Sequence, residues 1–391
     1  MKIGFYTWGS CFLERPGLDG PDPYARHHAA ADYDRAYAAL RSWAQQADDL
    51  GYESFWVTEH HFQREGYEVV PNVVLLASVL AQHTRRIKFG AFCHVVPTWH
   101  PLRLAEDFAM ADLLTGGRVL FGAGRGSVER EALTFGTGFG RNGDSGDAHN
   151  RAQFEEQMRV IALAWSEREF SFHGRFYDLP PAGILNTGNA ATGRPWTTIS
   201  LVPQPLRPIP VYQACTSDET FHFAARNGHT GVLPLFGGLE GARARWRWYG
   251  ELLEQYHGRT FGPGEKRMLI VSVHIGDDEA AAVRELAPAL TERNRFLAQQ
   301  RSVGVRPDGT PLPVGYVPTM DEVLARGSIL VGSPAQVAEQ LTTICGELCV
   351  EELAVEMGFP GMSEEQIGRQ LRRFATEVRP VIERASHAVA S

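Results

Sequence analysis

Three ionisable residues stand together in "WVTEHHF": Glu59, His60 and His61, at the end of an apolar run that begins at Ser54. An acid beside two imidazoles can bind a metal ion, activate a nucleophile or stabilise charge on a bound cofactor. A second candidate is "GAGRGS", Gly122 to Ser127. Alternating glycines let backbone amides approach a ligand closely, and Arg125 adds a permanent charge. Gly124, Arg125, Gly126 and Ser127 therefore suit a phosphate. The stretch does not match the dinucleotide fingerprint, and a tight turn at a strand end would use the same glycines. Thr216, Ser217 and Thr220 form a third group at an expected strand-to-helix junction. Free N–H groups and hydroxyls there favour anions, while Ser217 also reads as a plain helix N-cap.

These groups need elements to hold them. Strands are expected at Ile3 to Trp8, Ser54 to Glu59, Ile87 to Val96, Arg118 to Ala123, Ile209 to Cys215, Thr230 to Leu235, Met268 to Ile275 and Glu352 to Met357. Helical stripes lie between them. Tyr37, Leu40, Ala44 and Ala47 recur at spacings of three and four, and Gly51 supplies a stop. Pro101 opens another helix, and Ser333 with Pro334 opens "GSPAQVAEQL". Eight apolar strands, each followed by helix, predict an α/β fold of the (β/α)8 barrel type. A doubly wound sheet would carry Gly-x-Gly-x-x-Gly after its first strand, and Trp8-Gly9-Ser10 does not. The expectation is one barrel domain over residues 1–391, with insertions around 136–150 and 170–208 and a loop around 302–327.

A barrel gathers its chemistry at the carboxyl ends of its strands. That rule selects Trp8, the Glu59–His61 trio, Cys93, His94, Trp99, the "GAGRGS" loop, Cys215 to Ser217, Glu356 and Met357. The chain has three lysines; Lys2 and Lys88 begin strands and Lys266 precedes one, so Schiff-base chemistry and a lysine-bridged metal pair are excluded. Glu59, His60, His61 and His94 could supply metal ligands. Adjacent strand residues face opposite ways, however, so no metal is assigned. For His61, packing with a backbone hydrogen bond is as good a reading as function. Trp8, Phe92, Trp99 and Phe359 add aromatic walls. One anion site with such walls suits FMN.

Composition narrows the class further. Net charge is −8 over 391 residues and the arginines are scattered, which argues against nucleic acid or an anionic membrane as partner. No apolar run approaches a membrane span, and the first residues read as a strand rather than a signal peptide. Five widely spread cysteines fit reduced thiols, hence a cytoplasmic location.

"EHHF", "VVPTWHPLRLAEDFAMADLLTGGRVLFGAGRG" (Val95 to Gly126), "FSFHGRFYDL" and "GSPAQVAEQL" together resemble the luciferase-like flavin monooxygenases, to which the bacterial luciferase α subunit belongs. The likeness runs from Ile3 to about Arg384. It implies FMN at the carboxyl ends of the strands and His60 as catalytic histidine. Phe92 and Cys93 would lie against the isoalloxazine ring, where relatives often have a non-prolyl cis bond. Gly124 to Ser127 would contact the flavin with Arg125 on its phosphate, and Thr216, Ser217 and Thr220 would form the second phosphate segment. Trp8, Glu59, His61, His94 and Trp99 are expected in the substrate pocket. Two departures stand out. The luciferase cysteine of the strand-four loop is Gly124 here, with a cysteine at Cys93 instead, and the acidic residue after strand five is Thr216. Light emission and an aldehyde substrate are therefore not carried over. The implied reaction moves one oxygen atom from O2 to a small hydrophobic organic substrate through a flavin peroxide. A separate NAD(P)H-dependent flavin reductase would supply reduced FMN, and a homodimer is an expectation from the family. A deazaflavin-dependent hydride transfer in the same fold is the alternative, and a flavin-binding protein without turnover is another.

Overall fold

In the computed structural model, which describes residues 1–140, 144–235, 238–304 and 310–390, eight parallel strands close a ring. They are β1 (Lys2–Thr7), β2 (Ser54–Val57), β3 (Lys88–Ala91), β4 (Val119–Gly124), β5 (Val211–Ala214), β6 (Thr230–Pro234), β7 (Arg267–Ile275) and β8 (Glu352–Gly358). Each pairs with the next, and β8 returns to β1 with Phe5 opposite Val355. This is the (β/α)8 barrel. The intervening helices are α1 (Ala30–Asp49), α2 (Val73–Leu80), α3 (Pro101–Thr115), α4 (Glu129–Thr134), α5 (Ser145–Ser166), α6 (Asp218–Arg226), α7 (Gly238–His257) and α8 (Glu279–Ala298).

The period-2 alternation of the strands separates two cores. Phe5, Phe55, Phe89 and Phe121 pack outward on helix residues such as Trp43, Phe108 and Leu104. Their neighbours Tyr6, Trp56, Leu120 and Ala354 pack on one another within the ring, with Trp8, Tyr212 and Met268. Each fully buried aromatic contributes about 1.5–3 kcal/mol by leaving water, so both faces of every strand are committed and register is fixed. Helix ends follow their sequence signals. Pro101 sits in the first turn of α3, and Gly116 closes it at φ 68°, a conformation that costs a glycine nothing.

Strand three differs from the expected continuous run. It stops at Ala91, makes a cis peptide between Phe92 and Cys93, and resumes as His94–Val95 beside Ala123 and Gly124. A further short strand, Ile329–Gly332, pairs with Ser272–Ile275 of β7. Sequence reading passes over it because four apolar residues before "GSPAQ" carry no distinguishing period. The last helical stretch, Glu364–Arg373 and Arg379–Ala390, is divided by a π turn at Phe374–Val378. Within 170–208, Phe172–His173 pairs antiparallel with Asp178–Leu179. Parts of two expected variable stretches, residues 141–143 and 305–309, lie outside the described residues. Among the described residues, no helix is long and apolar enough to cross a membrane.

Candidate active site

The end of β2 divides its three ionisable residues between different surroundings. Glu59 is buried at 1% exposure and turns outward. Its Oε2 meets His94 Nδ1 at 2.7 Å, and its Oε1 accepts from Val95 N at 3.1 Å and Trp99 Nε1 at 2.9 Å. The His94 ring packs against Phe108 and Phe121 in the outer core. Burial raises the Glu59 pKa, but the His61 ring 3.6 Å away and the hydrogen bonds from His94 and Trp99 outweigh it and hold the carboxyl at about 2. Glu59, His94 and Trp99, expected to line a pocket, are joined to one another and tie β2 to the strand-three break. The physical reason is alternation: with Trp56 facing into the ring, this carboxylate has its partners in the outer layer.

His60 sits between two other carboxylates. Its Nδ1 lies 2.9 Å from Glu131 Oε1 on α4, and its Nε2 lies 3.3 Å from Glu68 Oε1 in the loop after β2. Burial lowers its pKa, and Arg301 lowers it further. The charge of Glu68 and the hydrogen bond and charge of Glu131 overcome both, raising it to about 9. Glu68 in turn has its pKa raised by burial, against the lowering charges of His60 and Arg301. The carboxylate pair therefore favours the protonated ring at neutral pH. Glu131 Oε1 also accepts the His61 backbone N–H at 3.0 Å, while its Oε2 is buried without a partner. His61 places its ring edge-on to Phe135, centroids 4.8 Å apart, with Nε2 3.6 Å from Glu59. Sequence reasoning missed Glu68 and Glu131. Both lie in loop-like or weakly periodic stretches, and no spacing links them to His60.

The ring interior supplies the flat wall. Phe92 stacks on Trp56 at 4.1 Å and 3°, and meets Tyr6 edge-on at 5.3 Å. Cys93 follows, its thiol pushed up to about 12 by burial despite the Ala214 N–H, so it is a neutral contact rather than a thiolate. A Cβ at Gly124 would fall 2.8 Å from the Cys93 Cβ and 3.2 Å from its sulfur. The two positions thus compete for one space, and a side chain at Gly124 would have to displace that of Cys93. Trp8 also faces the ring, donating to Glu356 at 2.7 Å.

The anion-binding candidates converge in part. Arg125 is 2.7 Å from Asp147 at the start of α5, and Arg151, which sequence reasoning missed, is 3.1 Å from the same carboxylate. Arg151 also reaches Glu219 in the first turn of α6 at 3.3 Å. The amides of Thr216 and Ser217 are both taken by Thr220 Oγ1, at 3.1 and 3.0 Å. The Ser217 hydroxyl lies at the N-terminus of α6, close to Glu219. Two guanidiniums drawn to one carboxylate fit a phosphate oxygen set, in competition with Asp147 and Glu219. Gly126 keeps φ at 84°, where a Cβ would meet Val95 at 2.8 Å. Ser127 is exposed next to it. Among the described residues, no group of three or more His, Cys, Asp or Glu converges as metal ligands do.

Such a barrel, with its polar cluster at the carboxyl ends of the strands, is the frame of an enzyme. The chain belongs to the luciferase-like monooxygenase family, whose model matches residues 23–351. It is 28% identical over 209 residues to the oxygenase component of the flavin-dependent trigonelline monooxygenase of Acinetobacter baylyi, a match covering 52% of this chain and about half, 50%, of that protein's length. It is 23% identical over 353 residues to an F420-dependent glucose-6-phosphate dehydrogenase of Kineococcus radiotolerans, covering 86% of this chain and 90% of that one. The fold is that of the oxygenating constituent of 3,6-diketocamphane monooxygenase from Pseudomonas putida, solved with FMN. That structure aligns with a TM-score of 0.72 at 21% identity, over 97% of this chain and 98% of that one.

Proposed function

We propose that this protein is the oxygenase of a two-component flavin system, taking reduced FMN from a separate reductase and transferring one oxygen atom from O2 to a small organic substrate. The observation that carries the reading is His60, held as a cation between Glu68 and Glu131 at the carboxyl end of β2. Bound reduced flavin would supply the two electrons that activate O2, one oxygen going to substrate and the other to water. The protein's own share is positional and electrostatic. His60 presents a fixed positive charge where negative charge would develop. Glu131 fixes its ring through Nδ1, and the longer Glu68 contact leaves Nε2 free to change partner. Trp56, Phe92 and Tyr6 exclude water from that space. Arg125, Arg151 and Ser217 would hold the phosphate.

The F420-dependent relative supports a second reading, hydride transfer with a deazaflavin. Anaerobic titration of the purified chain with reduced FMN and with reduced F420 separates the two. Tighter FMN binding, with an organic product that incorporates label from 18O2 in single turnover, is the expected result. Tighter F420 binding with no label incorporation would replace the monooxygenase reading.

A further inference from the structure

The barrel mouth holds a second charged group that the reading above does not use. Glu356, near the end of β8, accepts from Trp8 Nε1 at 2.7 Å and from the Ser272 hydroxyl. Arg293, from the last turns of α8, places Nη1 at 3.3 and 3.4 Å from the two Glu356 oxygens. Glu356 is thereby satisfied. Arg293 is not. Its Nε is buried with no hydrogen-bond partner, and among the described residues the guanidinium is bonded through Nη1 alone. A buried donor left unpaired is unfavourable, and a ligand acceptor would relieve it.

The unpaired edge has a definite chemistry. On a guanidinium, Nε–H and one Nη2–H point in the same direction, and two parallel donors match the two oxygens of a carboxylate. Aromatic faces flank the group, with the Phe359 centroid at 5.2 Å and that of Trp8 at 6.0 Å from the guanidinium carbon. The helix that carries it is clamped. The neighbouring Glu292 is fully buried and takes bonds from Arg26 at 2.6 Å, from Gly17 N at 2.7 Å and from Tyr67. Phe296, one turn along, stacks on Tyr67 at 4.2 Å. Tyr6 links this group to the His60 side of the mouth. Burial pushes its phenol well above the usual range, and the charges of Glu356 and Glu68 push it further, against Arg293.

We propose that Arg293 is the anchor for a substrate carboxylate, so that the substrates are small organic acids whose apolar or aromatic body lies along Trp8 and Phe359 and whose reacting atom faces His60. Glu356 orients the guanidinium and leaves its bidentate edge to the ligand. The inference rests on the oxygenase reading only in taking the barrel mouth as the substrate site. It narrows an expected hydrophobic substrate to an amphiphilic anion.

The test is calorimetric titration of the full chain in the presence of oxidised FMN. The probes are benzoate and phenylacetate, each against its uncharged amide. The wild-type protein is expected to bind the acids at least tenfold more tightly than the amides. Arg293→Gln is expected to bring acid and amide within twofold while leaving FMN affinity unchanged, and Arg293→Lys to keep part of the preference. Glu356→Gln, which frees the guanidinium to swing, is expected to reduce the wild-type acid preference at least threefold, and it serves should Arg293→Gln fail to fold. Acids no tighter than amides in the wild type, or an acid preference that survives Arg293→Gln, overturns the proposal. Loss of FMN binding by the wild type would strike the oxygenase reading instead, because acid binding is then still measured on the flavin-free chain.

Discussion

Glu59–His94 and Glu131–His60 are two carboxylate–imidazole pairs of nearly equal length, 2.7 and 2.9 Å, that meet at one strand end. They differ in what else each carboxylate touches. Glu59 spends both oxygens, on an imidazole, a backbone amide and an indole, inside the outer core. Glu131 leaves Oε2 without a partner, and its histidine is shared with a second acid across 3.3 Å. A saturated network resists rearrangement, whereas an unsaturated one can accept a new partner. Two adjacent residues, Glu59 and His60, thus divide into a strut and a working group.

The largest effect that could break this contrast is thermodynamic. Glu59→Ala leaves three buried donors unmatched and is expected to cost about 4 kcal/mol, read as a fall in denaturant midpoint. A loss under 1 kcal/mol would remove the strut from the comparison. Next comes His60→Gln, expected to cut single-turnover oxygenation about 100-fold while lowering the unfolding midpoint by less than Glu59→Ala does. Equal losses of stability and rate would make the two pairs the same kind of object. Smaller again is Trp99→Phe, which removes one donor to Glu59 and is expected to cost about 1 kcal/mol with FMN affinity intact.

The contrast was only half legible in the sequence. The barrel was readable because eight apolar runs of strand length recur with helices between them, a signal spread over the whole chain. Proximity across the fold was not. His60 and Glu131 are 71 residues apart, and Arg125 and Arg151 reach one carboxylate from a loop and a helix interior. Nothing in local spacing records that α4 delivers an acid to the end of β2. Cys93 and Gly124 show the same limit from the other side. The exchange of cysteine and glycine is visible in the motif, but the shared volume that explains it needs the His94–Val95 strand lying beside Ala123 and Gly124. Ile329–Gly332 was lost because four apolar residues cannot carry a period.

The smallest and most diagnostic effect is one of pH. The His60 pKa is raised from an ordinary 6.5 to about 9 in the folded protein by Glu68 and Glu131, against burial and Arg301. Its pairing therefore stabilises the fold fully below the unfolded value and loses that contribution as pH rises through about 9. Activity that depends on the cation should stay level through neutrality and fall along the same alkaline limb. Glu131→Gln keeps the hydrogen-bond geometry but removes one negative charge. It is expected to lower the His60 pKa and move the limb down by about one unit, so that the rate falls about threefold near pH 8.5 and is unchanged near pH 6.5. Glu59→Gln, acting on a carboxylate that His60 does not touch, should leave the limb where it is. Measured pH profiles of the two glutamine variants, each against wild type, set strut and working group side by side in one assay. An unmoved limb in Glu131→Gln would mean that Glu68 alone holds the charge on His60.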